Sequence, residues 1–103
     1  MAQDQLDLTS GKPIKLTPGD NEPFTLEAGE YQLQITGNFA GASAFLSREI
    51  LPGVYPGRNH PRHTGVSWSS PDEEPYKTGG GKFRITVERA KKLTSLSFSY
   101  DKL

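Results

Sequence analysis

The stretch that decides the fold is "EYQLQITG", residues 30 to 37. Apolar Tyr31, Leu33 and Ile35 alternate with polar residues, which is the pattern of a strand with one buried face. The same alternation returns in "KFRITVER" (82–89) and in "TSLSFSYD" (94–101). These three segments predict strands that bury one face each in a common core. The inward side chains expected from the last two are Phe83, Ile85, Val87, Leu96, Phe98 and Tyr100.

Weaker alternation and short apolar runs add further strand candidates, and helical signals are poor. "ERAKKL" (88–93) is too short for a helix and lies between two strong strands, so we interpret it as the connection of a hairpin. The fold class expected is all-β: a single antiparallel β-sandwich or small barrel of six to seven short strands with long Pro/Gly-rich loops. The weaker candidates are "PIKLT" (13–17), "FTLEA" (24–28), "SAFLSREI" (43–50) and "GVSWS" (65–69).

A chain of 103 residues is long enough for one domain and one core. We expect an extended N-terminal arm over residues 1–12 and a single β domain over 13–103. Residues 51–81 hold five of the eight prolines and six of the eleven glycines, which predicts an irregular loop region there. Loops of this length in a small domain are the expected contact surfaces.

The composition excludes several classes of function. Twelve basic and twelve acidic residues cancel, which argues against nucleic-acid binding driven by bulk charge. Residues 1–30 nevertheless carry a net charge of −4 and residues 77–103 a net charge of +5. These are two ordinary solvated faces, or they attract within one fold or between copies. The chain has no cysteine, no membrane-spanning run and no signal-peptide pattern, so we expect a soluble protein made in the cytoplasm.

The segment "RNHPRHTG" (58–65) holds both histidines of the chain and raises the question of a metal or catalytic site. His60 and His63 form an H-x-x-H pair, but Pro61 between them excludes a regular helix interior, and zinc needs further ligands. No serine lies in a G-x-S-x-G turn, and the acids of "PDEEP" (71–75) have the pattern of a solvated turn. We therefore expect no enzyme activity, no metal and no cofactor.

Aromatic and basic residues in the loops are the candidates for contact with a partner protein. We interpret "RNHPRHTG" as a cationic, proline-stiffened contact loop whose arginines bind carboxylates and whose histidines respond to pH. Phe39 lies at the tip of an expected hairpin in "TGNFAGASAFL" (36–46), where it folds back over the sheet edge or docks into a neighbour. The partner-contact residues expected are Phe39, Tyr55, Arg58, His60, Arg62 and His63.

Two stretches carry a family resemblance. "GEYQLQITGNFAGASAFLSRE" (29–49) and "GGKFRITVERAKKLTSLSFSY" (80–100) resemble the short β-sandwich proteins of tailed bacteriophage virions. Those proteins have a glycine-flanked T-G-x-F-x-G-A segment and a late aromatic-R-[IV]-x-V strand. The resemblance implies a structural protein of the virion, without catalytic residues, that acts as capsid decoration (cement) or as a head–tail or tail component.

The function expected is therefore that of a capsid decoration protein, made in the host cytoplasm and located in the virion. Its partners would be the major capsid protein or other virion proteins, and it would form a homo-oligomer, with a trimer favoured. No nucleic acid and no membrane is expected as a partner. The alternatives are a head–tail connector or tail component, and a carbohydrate-binding β-sandwich with Tyr55, Trp68 and Tyr76 as its platform.

Overall fold

The computed structural model describes residues 13–103, so the arm expected over residues 1–12 lies outside the described residues. Two antiparallel sheets pack face to face into a β-sandwich, which confirms the fold class. The described residues form nine strands, two more than the upper expectation. They are β1 (Ile14–Leu16), β2 (Gly19–Asp20), β3 (Phe24–Leu26), β4 (Gly29–Asn38), β5 (Ser43–Arg48), β6 (Ser67–Trp68), β7 (Asp72–Thr78), β8 (Gly81–Glu88) and β9 (Ser95–Lys102).

Each sheet is built around long central strands. Sheet A has the order β1-β9-β4-β7, with Ile35 of β4 opposite Phe98 of β9. In sheet B, β8 pairs with β5, and β6 follows on the far side of β5. The short strands β2 and β3 share the other edge of β8, one after the other. The three segments with the clearest alternation are thus the central strands of the sandwich.

The inward faces predicted from the alternation are confirmed. The expected side chains from β4, β8 and β9 are buried, and only Tyr100 is half-buried. Phe98 of sheet A contacts Trp68 of sheet B at 5.8 Å between ring centroids and Phe24 of sheet B at 5.6 Å. Burying one such ring contributes about 1.5–3 kcal/mol. An aromatic cluster therefore holds the two sheets together.

The two hairpins expected around Phe39 and over residues 88–93 are wrong. The strands that each turn joins, β4 with β5 and β8 with β9, lie in different sheets. β4 pairs with β9 and β5 pairs with β8, so the turns after β4 and after β8 both lead from one sheet to the other. Phe39 lies in the first of these crossovers and is 5% exposed. The hydroxyl of Thr94, from the second crossover, donates to the carbonyl oxygen of Phe39 at 3.0 Å. The two crossovers close the same end of the sandwich.

Strand β7 lies in the region expected to be irregular. Its acids and Pro75 disfavour a strand, but β7 is the edge of sheet A and pairs only with β4. One side of an edge strand has no partner strand, so a residue without an amide donor, such as Pro75, is tolerated there. Tyr76 points inward and packs edge-on against Phe83 at 6.1 Å.

Replacing Gly37 tests the crossover after β4. Gly37 has a φ of 112°, and a Cβ there would overlap the carbonyl oxygen of Ser95. Gly37→Ala is expected to lower the free energy of unfolding by about 2–3 kcal/mol, measured by urea denaturation. Gly57→Ala is the control, because a Cβ at Gly57 meets nothing within 4 Å. Equal stability of the two variants would contradict the crossover geometry.

Candidate partner-binding surface

The contact loop predicted from "RNHPRHTG" lies across the outer face of sheet B. Ala44 and Leu46 of β5 point into the sandwich, so Phe45 and Ser47 point out of it. Both outward side chains are buried nevertheless, because residues 55–65 cover them. We call residues 55–65 the flap.

Three further contacts fix the flap to sheet B. The Ser47 hydroxyl donates to the carbonyl oxygen of Pro56 at 2.9 Å, and the Thr64 hydroxyl donates to that of Leu46 at 2.7 Å. At the start of the flap, the Arg84 guanidinium lies 4.3 Å from the centre of the Tyr55 ring. These contacts join the flap to β5 and β8, so the loop is an ordered layer of the protein.

Arg58 makes its contacts within the chain. Its guanidinium forms an ion pair with Glu88 at 3.1 Å, donates to the Ser43 hydroxyl at 3.0 Å, and lies 5.5 Å from the centre of the Phe45 ring. The carboxylate expected from a partner protein is thus supplied by β8. Arg62, by contrast, is exposed on the flap surface.

The two histidines lie in different environments. His60 is exposed, and its Nδ1 accepts a hydrogen bond from the amide of Arg62 at 3.0 Å. His63 is half-buried, with its ring edge-on to Phe45 at 5.4 Å, and its Nδ1 accepts from the amide of Gly65 at 3.0 Å. Burial, and then the charge of Arg58, lower the pKa of His63. His63 is therefore held neutral against sheet B.

An apolar hairpin tip precedes the flap. Ile50 and Val54 share a backbone hydrogen bond at 3.0 Å, and the amide of Gly53 donates to the Glu49 carboxylate at 2.8 Å. Leu51 is 62% exposed and Val54 is 45% exposed. We call residues 50–54 the tip. Sequence reasoning placed this segment in the region of expected contact surfaces but did not name Leu51 or Val54, although Pro52-Gly53 between apolar residues is the signal of a type II turn.

The six predicted contact residues differ in how far their side chains are exposed. Phe39 is buried in the core, within the crossover that takes the place of the expected hairpin tip, so its ring is not exposed to a partner. Tyr55 and His63 are half-buried on the side of the flap that faces sheet B, and Arg58 is paired with Glu88. His60 and Arg62 remain exposed. Within the region predicted to contact a partner, the tip and the outer side of the flap are therefore the parts that are exposed.

The aromatic platform expected for a carbohydrate is not assembled. Trp68 is 5% exposed and packs against Phe98, and Tyr76 packs against Phe83 on the inner side of sheet B. Tyr55 lies on the outer side of the same sheet, against Arg84. The three rings do not share a face.

Within residues 13–103 no three His, Asp or Glu side chains gather in a way that could hold a metal ion. That part of the chain also has no helix of the length and apolarity that crossing a membrane requires. No protein-family model matches the chain, and no match was found among curated proteins or solved structures. Ideas about function therefore rest on the geometry and on the sequence.

The environment of His63 predicts a pH-dependent stability. A histidine whose pKa is lowered in the folded state binds protons more weakly there than in the unfolded chain. The free energy of unfolding is therefore expected to fall as the pH drops below about 6.5, the ordinary histidine value. Thermal unfolding between neutral and mildly acidic pH measures this. His63→Gln should reduce the loss, and His60→Gln should retain it; the reverse result would contradict the assignment.

The two flap arginines are expected to differ in their effect on folding. Arg58→Ala removes an ion pair, a hydrogen bond and the contact with Phe45, and should cost about 1 kcal/mol. Arg62→Ala changes an exposed side chain and should stay within about 0.5 kcal/mol of the original protein. Urea denaturation of both variants is the measurement, and equal losses would show that the flap is not fixed through Arg58.

Proposed function

We propose that this chain is a non-enzymatic structural protein of a tailed-phage virion, a capsid decoration protein that binds adjacent subunits of the major capsid protein. The observation that carries the proposal is the tip, where Leu51 and Val54 are exposed on a hairpin fixed by its own hydrogen bonds. The resemblance of residues 29–49 and 80–100 to virion β-sandwich proteins supplies the class of partner.

The tip has the properties of a preorganised contact. Glu49 and the Ile50–Val54 hydrogen bond hold the turn in one conformation, so little chain entropy is lost when the tip enters a partner. Its apolar side chains suit the buried centre of an interface, and exposed polar residues such as His60 and Arg62 suit a rim.

The flap supports the same proposal. Because residues 55–65 are fixed to sheet B, the loop presents its outer side as an ordered surface. On a capsid the same contact would recur on every copy, and repeated weak contacts add up to firm attachment. A homo-oligomer, with a trimer favoured, would present several tips at once.

Substitutions in the tip test the proposal. Leu51→Ser with Val54→Ser is expected to weaken binding to purified capsids by about tenfold or more, because the apolar contact area is lost. Co-sedimentation with capsids over a range of protein concentrations measures this. Leu93→Ser is the matched control, since Leu93 is 73% exposed in the crossover at the other end of β8. Equal binding of the tip variant and the control would contradict the proposal.

Copy number separates decoration from the head–tail alternative. A decoration protein is present once or more for each repeating capsid unit, whereas a connector or tail component is present in few copies. Quantitative gel densitometry of purified particles, with the major capsid protein as reference, measures the ratio. A ratio near that of the capsid protein supports decoration, and a ratio of a few copies per particle overturns it in favour of the head–tail alternative.

A further inference from the structure

Strand β9 is covered along its full length on one side only. On that side β4 pairs with all of Ser95–Lys102. On the other side, among residues 13–103, β1 pairs only with Leu96–Phe98. We call the remaining stretch, residues 99–102 on the side away from β4, the open edge. An uncovered strand edge of this kind accepts a further strand.

Two residues present their backbone N–H and C=O groups along the open edge. The amide of Leu103 donates to the carbonyl oxygen of Glu30 in β4 at 2.8 Å, so the backbone groups of Leu103 point toward β4. Successive residues of a strand point their backbone groups to alternate sides. The N–H and C=O of Tyr100 and Lys102 therefore point outward along the open edge, where they offer two donors and two acceptors.

A cavity lies next to the open edge, between the two sheets. Its volume is about 500 Å³, and it contains the ion pair of Glu27 and Lys102 at 3.2 Å. The other lining residues are two leucines, two tyrosines and a threonine, so the lining combines apolar surface with hydroxyl groups. They are Thr25, Leu26, Tyr31, Tyr100 and Leu103.

The register of β1 against β9 fixes which residues of the same molecule would lie beside the open edge and the cavity. Ile14 is fixed opposite Phe98 and Leu16 opposite Leu96. Continued in that register, the chain would bring Lys12 opposite Tyr100 and Ser10 opposite Lys102. Both side chains are polar, and the nearest leucine, Leu8, would lie beyond the end of β9, so in this register the chain brings no leucine to Leu26 and Leu103 of its own cavity.

The sequence before Pro13 nevertheless contains a segment that suits the cavity. In "QLDLT" (5–9), Leu6 and Leu8 are two residues apart, as are the outward backbone groups of Tyr100 and Lys102. Twelve extended residues reach about 40 Å. The described part of the molecule is 40 Å in its longest dimension, so this segment is long enough to reach a neighbouring molecule.

We propose that the open edge of β9 and the adjacent cavity bind the N-terminal segment of a second copy of this chain. The incoming segment adds a strand next to Tyr100 and Lys102 and places Leu6 and Leu8 in the cavity. Its register is free, because it is not tied to the β1 of the accepting molecule. The net charges of −4 over residues 1–30 and +5 over 77–103 favour the same contact between copies. The inference concerns the purified chain and does not rest on the capsid proposal.

Two variants and their controls test the donor and the acceptor separately. Leu6→Asp with Leu8→Asp removes the leucines of the donor, and Gln3→Asp with Gln5→Asp adds the same charge at the alternate positions. Lys102→Pro removes the outward amide of the acceptor; Lys102 lies opposite Tyr31 of β4, but its amide points away from β4. Lys102→Ala is its control, because it also loses the ion pair with Glu27 but keeps the amide.

Sedimentation equilibrium and amide hydrogen exchange on the full chain give the readouts. The original protein and both controls are expected to associate with rising concentration. In these associated species the amides of Tyr100 and Lys102 should exchange slowly, with Phe98 as the internal reference. The donor variant should be monomeric, with exchange at Tyr100 faster by about tenfold or more. Mixing it with the Lys102→Pro variant should restore one contact and give a dimer.

Three results would overturn the inference. One is an original protein that stays monomeric at every concentration, with fast exchange at Tyr100 and Lys102. A second is slow exchange that does not depend on concentration, which would place a segment of the same molecule on the open edge. The third is a donor variant that associates as strongly as the original protein.

Discussion

The rest of the structure depends on one contact between the two sheets. Phe98 of sheet A packs there against the rings of Phe24 and Trp68 from sheet B. A chain with 33% hydrophobic residues has few side chains available for a core, and these three large rings join its two sheets. Both sheets keep their register because a shift of one residue in β9 would turn Phe98 toward solvent. The crossovers and the flap are positioned by the sheets that this cluster joins.

The flap buries further side chains on the outer face of sheet B. Phe45 and Ser47 face away from the sandwich, yet both are buried, because the flap supplies an ion pair, two hydroxyl hydrogen bonds and an imidazole ring to cover them. A long loop rich in proline and glycine thereby becomes a third layer. Polar groups of the flap make hydrogen bonds with β5, and the tip that precedes the flap is exposed to solvent.

Alternation was sufficient to find the central strands and their buried faces, because a period of two is a property of each strand by itself. It did not find β7, since an acidic run with Pro75 is tolerated only at an edge, and edge position is decided by the other strands. Nor did alternation give the partners of β5 and β9. Their order in the sequence suggested hairpins with β4 and β8, whereas β5 pairs with β8 and β9 pairs with β4. Phe39 is buried for that reason.

What the sequence by itself determined is an all-β chain whose central strands have a known inner face, because propensity and periodicity are local. The tertiary structure alone decided the role of the loop residues. Arg58 meets Glu88 across 30 positions of sequence, and His63 loses part of its contact with water because β5 lies beneath it. Charge pairing and desolvation depend on distance in space, and local pattern carries no information about that distance.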